Sequence, residues 1–377
     1  MKIIISVLAF TFGISLCMAQ NVRDAAEEQK RREAQQRQAA DEFKRRGEIN
    51  IAPPTPQPAA TPVNVVQSSP PKSVAQPVVE EEYVDQPFST QNTSAGIILR
   101  GGTLSYKLDW LQRSVESHNT YIVEVNNNES IPPRTLEYKG AINATIILRG
   151  VGGNRIVRLS SNGAMFTVNA NVTFVLDNNI TLMGHNDNTG VMVRVNGGAL
   201  RMNNGATITG NGALGVHVDS GTFEMTGGTI SGNRGNNGGG VHVGTGHTFT
   251  MTGGTITGNT ANNGGGVFVS TGQGRDATFT MRGGTITGNS ATTNGGGVYV
   301  HTLGNGVGIF TKTGGTITGY NSDQVNGNAV RDADGTIARS GHAVWVHPRW
   351  NDQGRRKETT AGQNVNLNSG TADNWDQ

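Results

Sequence analysis

Between Met202 and Gly319 the chain carries only three acidic residues, Asp219, Glu224 and Asp276. A polysaccharide lyase or hydrolase of extended fold needs clustered carboxylates, to hold calcium at an acidic sugar or to act as an acid and base pair. Asp219 and Glu224 fall in different phrases of one repeat, and no third carboxylate is brought to them by the pattern. Further on, Asp332-Ala333-Asp334-Gly335 is a fragment of a calcium loop without its remaining ligands, so it reads as a solvated turn; no cofactor is expected, with calcium as the weaker alternative. No Ser/His/Asp order, Gly-rich phosphate loop or zinc spacing is present. The enzyme alternative, a lyase or hydrolase, requires the Asp323 to Asp334 insertion to fold back on Asp276 or Glu224.

A second set of side chains offers binding in place of catalysis. A recurring Val-x-Val phrase holds, at its middle position, Arg194, His217, His242, Phe268, Tyr299 and, after an insertion, Trp345. Stacked in register, His217, His242, Phe268, Tyr299 and Trp345 form a ligand-binding column on one flat face, able to stack on sugar rings or to anchor a protein. The competing reading is that strands favour aromatics for their own packing and loops cover them. On the binding reading, Phe268→Ala with Tyr299→Ala leaves the fold intact and weakens glycan or partner binding. His217 and His242 alone fall short of a metal set, and no metal site is assigned.

What must position this column is a repeat. Phe-x-Met-x-Gly-Gly-Thr-Ile-x-Gly-Asn appears at Phe223 to Asn233, Phe249 to Asn259 and Phe279 to Asn289. A worn copy from Phe310 has Lys312 in the Met place and Tyr320 where Asn is expected. The Phe positions lie 26, 30 and 31 residues apart, with Gly-Val-x-Val ahead of each later copy. Short phrases at such a period, without helical periodicity, describe a solenoid whose coils bury one another. Alternation places Val241, Val243, Phe249, Met251 and Ile256 inward, and His242, Thr250, Thr255 and Thr257 outward. Gly and Asn supply the corners. The expected fold is all-β, a single-stranded right-handed parallel β-helix of about eight coils, a rod on the order of 40 Å long. It carries an Ile column (Ile208, Ile230, Ile256, Ile286, Ile317) and an Asn column (Asn211, Asn233, Asn259, Asn289) whose amides satisfy turn backbone.

Ahead of the repeats, residues 1–19 read as an export signal: Lys2, an apolar run from Ile3 to Leu16, and Cys17-Met18-Ala19 before Gln20. Membrane association is expected only if Cys17 carries a lipid, for which Leu16 is a poor neighbour; cleavage after Ala19 removes the one cysteine. Residues 20–50 form a charged arm, helical or loose, with eight basic and seven acidic residues and no apolar stripe. Residues 51–93 hold nine of the twelve prolines and read as a semi-rigid spacer. The domain is expected over 94–377. Leu104, Leu108, Leu111 and Val115 share one face, which predicts a capping helix from Ser105 to His118 over the open end of the first coil, with Trp110 on that coil. At the other end, Lys357 to Asn366 is expected across the last coil, with Trp350 and Trp375 as lids. Loop insertions gather at one corner, at Gly244 to His247, Ser270 to Ala277 and His301 to Gly308, where solenoids place recognition.

Gly253 to Asn259 followed by Gly264 to Val269 resembles the right-handed β-helix, pectin-lyase-like repeat proteins of host-associated bacteria such as spirochaetes. The same residues are similar to the Gly-Gly-x-Ile repeats of polymorphic outer-membrane protein passengers. The resemblance covers about Phe166 to Val346 and implies a surface or periplasmic, adhesion-like role. Phe-x-x-Asn, the companion motif, occurs only at Phe166 to Asn169, and the chain to Gln377 leaves no room for an autotransporter barrel, so secretion by that route is not expected. The acidic and basic sites of pectin-degrading relatives have no match.

The sequence therefore predicts an exported, non-catalytic binding protein, adhesin-like, located in the periplasm, at the outer surface or secreted. Its partner is a glycan or a host or envelope protein. A structural envelope role is the further alternative, reached if the N-terminal arm binds an envelope component. The net charge of +2 and the lack of a basic stripe argue against a nucleic-acid partner.

Overall fold

The computed structural model describes residues 88–346, apart from 273, 302–305, 321–322, 333 and 338–340, together with the strand Val365–Leu367. The export signal, the charged arm, most of the spacer, Trp350 and Trp375 lie outside the described residues.

The alternating phrases fold as the pattern requires. Strands stack in parallel along three faces of a β-solenoid of about seven turns. That is one fewer than the count of about eight read from the repeats. On the first face Tyr121, Ile146, Phe174, Leu200, Phe223, Phe249, Phe279 and Phe310 share one register. The last four rings stack at centroid spacings of 4.6, 4.6 and 4.8 Å. The second face lines up Val157, Leu182, Ile208, Ile230, Ile256, Ile286 and Ile317. On the third run the Val-x-Val pairs, Val216 and Val218 through Val298 and Val300. All of these side chains are buried in one core. Each contributes about 1.5–3 kcal/mol by leaving water, so the rod is held by many equivalent layers.

Between the first and second faces the chain turns on Gly-Gly. Gly284 has φ +85°, and a Cβ there would meet Met251 Cε at 2.5 Å and the carbonyl oxygen of Gly254 at 2.7 Å. Only glycine combines that backbone angle with such close stacking. Gly284→Ala is expected to cost roughly 1–3 kcal/mol, read as a lower urea midpoint; a midpoint within error of the parent would show that the corner relaxes freely.

The second corner is built by asparagine. Asn259 Nδ2 donates to the side-chain oxygen of Asn289 at 2.9 Å and to the carbonyl of Ile230 at 2.9 Å, and the Asn259 backbone N–H donates to Asn289 Oδ1 at 3.0 Å. Asn233 repeats this pattern on Asn259, and Asn289 repeats it on Asn328. Asn328 is the rung that Tyr320 lacks, delivered eight residues late by the insertion. At the other end, Asn188 Nδ2 donates to Asn211 Oδ1 at 2.8 Å. The amides answer the corner carbonyls that burial would otherwise strand.

A helix, Leu104–Ser114, forms on the leucine face. Leu104, Leu108 and Leu111 are buried in the core, and Thr103 Oγ1 accepts from the Tyr106 N–H at its start. It stops four residues before His118 because the Tyr121 hydroxyl intervenes: that oxygen accepts from the Glu116 N–H and donates to the Ser114 carbonyl. Trp110 meets Phe88 and Tyr121 edge-on, at 5.5 and 6.2 Å. Phe88–Thr93, within the span read as spacer, is a strand paired antiparallel with Gly96–Gly101.

One layer is absent from the sequence reading. Thr260–Asn263, Ser290–Asn294 and Ala329–Val330 form a small parallel sheet, and its register aligns Ala261, Ala291 and Val330, all buried outside the main core.

Candidate functional site

The Val-x-Val strands bring the expected column into register. Arg194, His217, His242, Phe268, Tyr299 and Trp345 pair one with the next along the third face. The His217 and His242 rings stack at 4.6 Å with 19° between their planes, and Phe268 stands edge-on to His242 at 4.9 Å. Tyr299 follows Phe268 at 5.3 Å.

The exposure of the column differs from the flat open face expected. Phe268 and Tyr299 are each only 4% exposed. The glycine turns that follow the small sheet fold back against them: a Cβ on Gly264 would stand 3.0 Å from Phe268 Cα, and one on Gly295 would stand 2.7 Å from Tyr299 Cβ. From the other side, His301 lies 6.0 Å from the Phe268 ring and 5.8 Å from that of Tyr299. Burial pushes the Tyr299 hydroxyl up to about 12. These two rings are therefore covered and pack against the layer above them, where the alternation implied an open face. His217, His242 and Trp345 remain half-buried, with an edge toward solvent.

Charge gathers at the histidine end. Arg194 pairs with Asp219 at 2.8 Å, and His217 Nε2 lies 3.9 Å from the same carboxylate. Burial lowers the His242 pKa to about 3, with His217 adding to the effect and Asp219 opposing it. The His217 pKa is lowered too, first by burial, against the pull of Asp219. His247, which the repeat pattern does not mark because no other coil has a counterpart, accepts the Gly221 N–H at Nδ1, 3.2 Å away.

The corner loops stack beside the column and are tied to one another. Gly246 N–H donates to the Asp276 carbonyl at 2.9 Å, and the Asp276 carboxylate accepts the Val307 N–H at 2.7 Å. Thr278 N–H donates to the His247 carbonyl at 2.9 Å, and the Thr271 hydroxyl to that of His301 at 3.3 Å. Arg275 lies over Gly246, where a Cβ would meet its Cδ at 3.3 Å.

The acids do not converge. Glu224 pairs with Arg201 at 3.2 Å. Asp323 accepts the backbone N–H groups of Val325 and Asn326 in its own turn, which lowers its pKa, and Asp334 does the same with Thr336. Within the insertion, Asn326 reaches the asparagine corner, where its carbonyl accepts the Thr287 hydroxyl. Among the described residues no three His, Cys, Asp or Glu side chains are grouped to hold a metal ion.

Comparison with protein-family models, curated proteins and solved structures gives no match.

Proposed function

We propose that this chain is an exported, non-catalytic binding protein of the cell surface or envelope, adhesin-like, whose partner is a glycan or a protein. The observation that carries this reading is the hydrogen-bonded stack of corner loops beside the half-exposed edges of His217, His242 and Trp345. Loops tied to one another by hydrogen bonds hold their polar groups in place, so less ordering entropy is lost on binding. Export rests on Lys2 and the apolar run behind it.

The test is a glycan and host-matrix-protein binding screen with the full chain, with and without calcium, and with product analysis of each polysaccharide. Saturable binding that falls about tenfold or more in a His247→Ala, Arg275→Ser, Trp345→Ala variant of unchanged melting temperature supports the reading; each truncation removes about 1 kcal/mol or more of contact. Cleavage of any polysaccharide overturns it in favour of a lyase or hydrolase, and binding untouched by the variant moves the ligand off this corner.

A further inference from the structure

Beside the corner, three histidines are arranged so that they cannot all carry a proton while their contacts hold. His217 and His242 are stacked face to face, and two imidazolium rings at 4.6 Å repel. Asp219 is the acid beside them, and Arg194 already holds it at 2.8 Å. One added proton, on His217 at 3.9 Å from Asp219, is tolerated; a second, on His242, finds no partner. His247 accepts the Gly221 N–H at Nδ1, a role that only the neutral ring can fill. The remaining neighbours offer no relief. Arg275 approaches from the next loop, Phe268 stands edge-on to His242 from the following coil, and the turn at Gly238, where a Cβ would stand 3.1 Å from His242 N, brings backbone.

These contacts join the stack to the loops mechanically. The strand Val216–Met225 carries His217, Asp219 and Gly221, and Gly221 is fastened to His247, whose carbonyl in turn holds Thr278. We propose that the His217, His242 and His247 cluster is an acid-sensitive latch, and that in mildly acidic solution it releases the loop Gly244 to His247 from the Asp276 and Thr278 backbone that it holds while the rod below stays folded. If the corner is the binding face, the latch regulates that face; the latch itself stands without that reading, because it is read with no ligand present.

The sign follows from the direction of the shifts. All three histidines are less basic when the corner is closed than when it is open. The closed form is thus fully favoured above about pH 6.5 and loses ground as pH falls. For His242 alone, each unit below about 6.5 multiplies the open fraction about tenfold, or about thirtyfold at pH 5.

Amide hydrogen exchange of the full chain, corrected for intrinsic rates, tests this. Between pH 7.5 and 5, protection at Gly221, Gly246 and Thr278 should fall about thirtyfold or more, while the Asn259 and Asn289 amides of the inner ladder keep theirs. A variant with His217→Phe and His242→Phe takes the side chain that the next coil carries at this register, and should lose no more than about threefold at the same amides. His217→Gln with His242→Gln serves the same purpose if the first variant does not fold. Constant protection in the parent chain, or an equal loss in the variants, overturns the latch; loss at the ladder as well means acid unfolding of the rod and overturns it too.

Discussion

Asn259→Ala should lower the unfolding free energy by roughly 3–6 kcal/mol, as several buried groups are orphaned at about 1–3 kcal/mol each. The side-chain amide donates to the carbonyls of Ile230 and Thr257 and to Asn289 Oδ1, and its oxygen accepts both the backbone and the side-chain N–H of Asn233. All but the Thr257 contact are buried, and the ring of partners spans three coils. Asn259→Asp should be worse, since an acceptor then faces carbonyl oxygens and a charge is buried. By contrast Asn262, whose amide donates to Asn236 Oδ1 on the exposed face, should tolerate alanine within about 1 kcal/mol. Urea denaturation of the three variants decides the matter. A cost below about 1 kcal/mol for Asn259→Ala would mean that the ladder is ornamental.

Truncating the covered aromatics should be similarly severe. Phe268→Ala and Tyr299→Ala are each expected to cost about 3–5 kcal/mol, the range for removing a buried ring and leaving a cavity. The two costs should fall short of additive, because the rings touch at 5.3 Å and share one cover. This reverses what the strand pattern alone implies, namely that the pair can be removed without harm to the fold. Chemical denaturation gives the first readout and exchange at the triple-glycine turns the second, which should become exposed in both variants. Two variants as stable as the parent would put the rings back on an open face.

The difference between those two outcomes explains what could be read from the chain. Period-two alternation of Val, Phe, Met and Ile specifies which side of a strand meets the core, so the register of every repeat from Phe166 to Phe310 was legible. Alternation is silent about a second layer on the far side. Thr260–Asn263 and Ser290–Asn294 are polar phrases that read as corner, and their only hints are a small buried residue, Ala261 or Ala291, and three glycines that allow the backbone to return close to Phe268 and Tyr299. Asn328 was hidden for a different reason: the insertion shifts it from the place where the motif ends, and only the hydrogen bond to Asn289 reveals it as the same rung. The helix was visible from its leucines, but its end was set by a tyrosine hydroxyl from the next strand, a tertiary contact that no local pattern carries. Likewise His247 acquires its part only through Gly221 of the preceding coil.

The insertion that supplies Asn328 has a mechanical consequence. Each coil is bound to its neighbours and to nothing more distant, so a pull along the rod loads one interface at a time. When a coil peels away, the chain between successive rungs becomes slack: 26 residues from Asn233 to Asn259, but 39 from Asn289 to Asn328. At up to about 3.4 Å per extended residue, those lengths are roughly 90 and 130 Å. Under tension the coil that spans the insertion thus yields a longer stride than the shorter coils stacked behind it, and absorbs more extension for each rung lost.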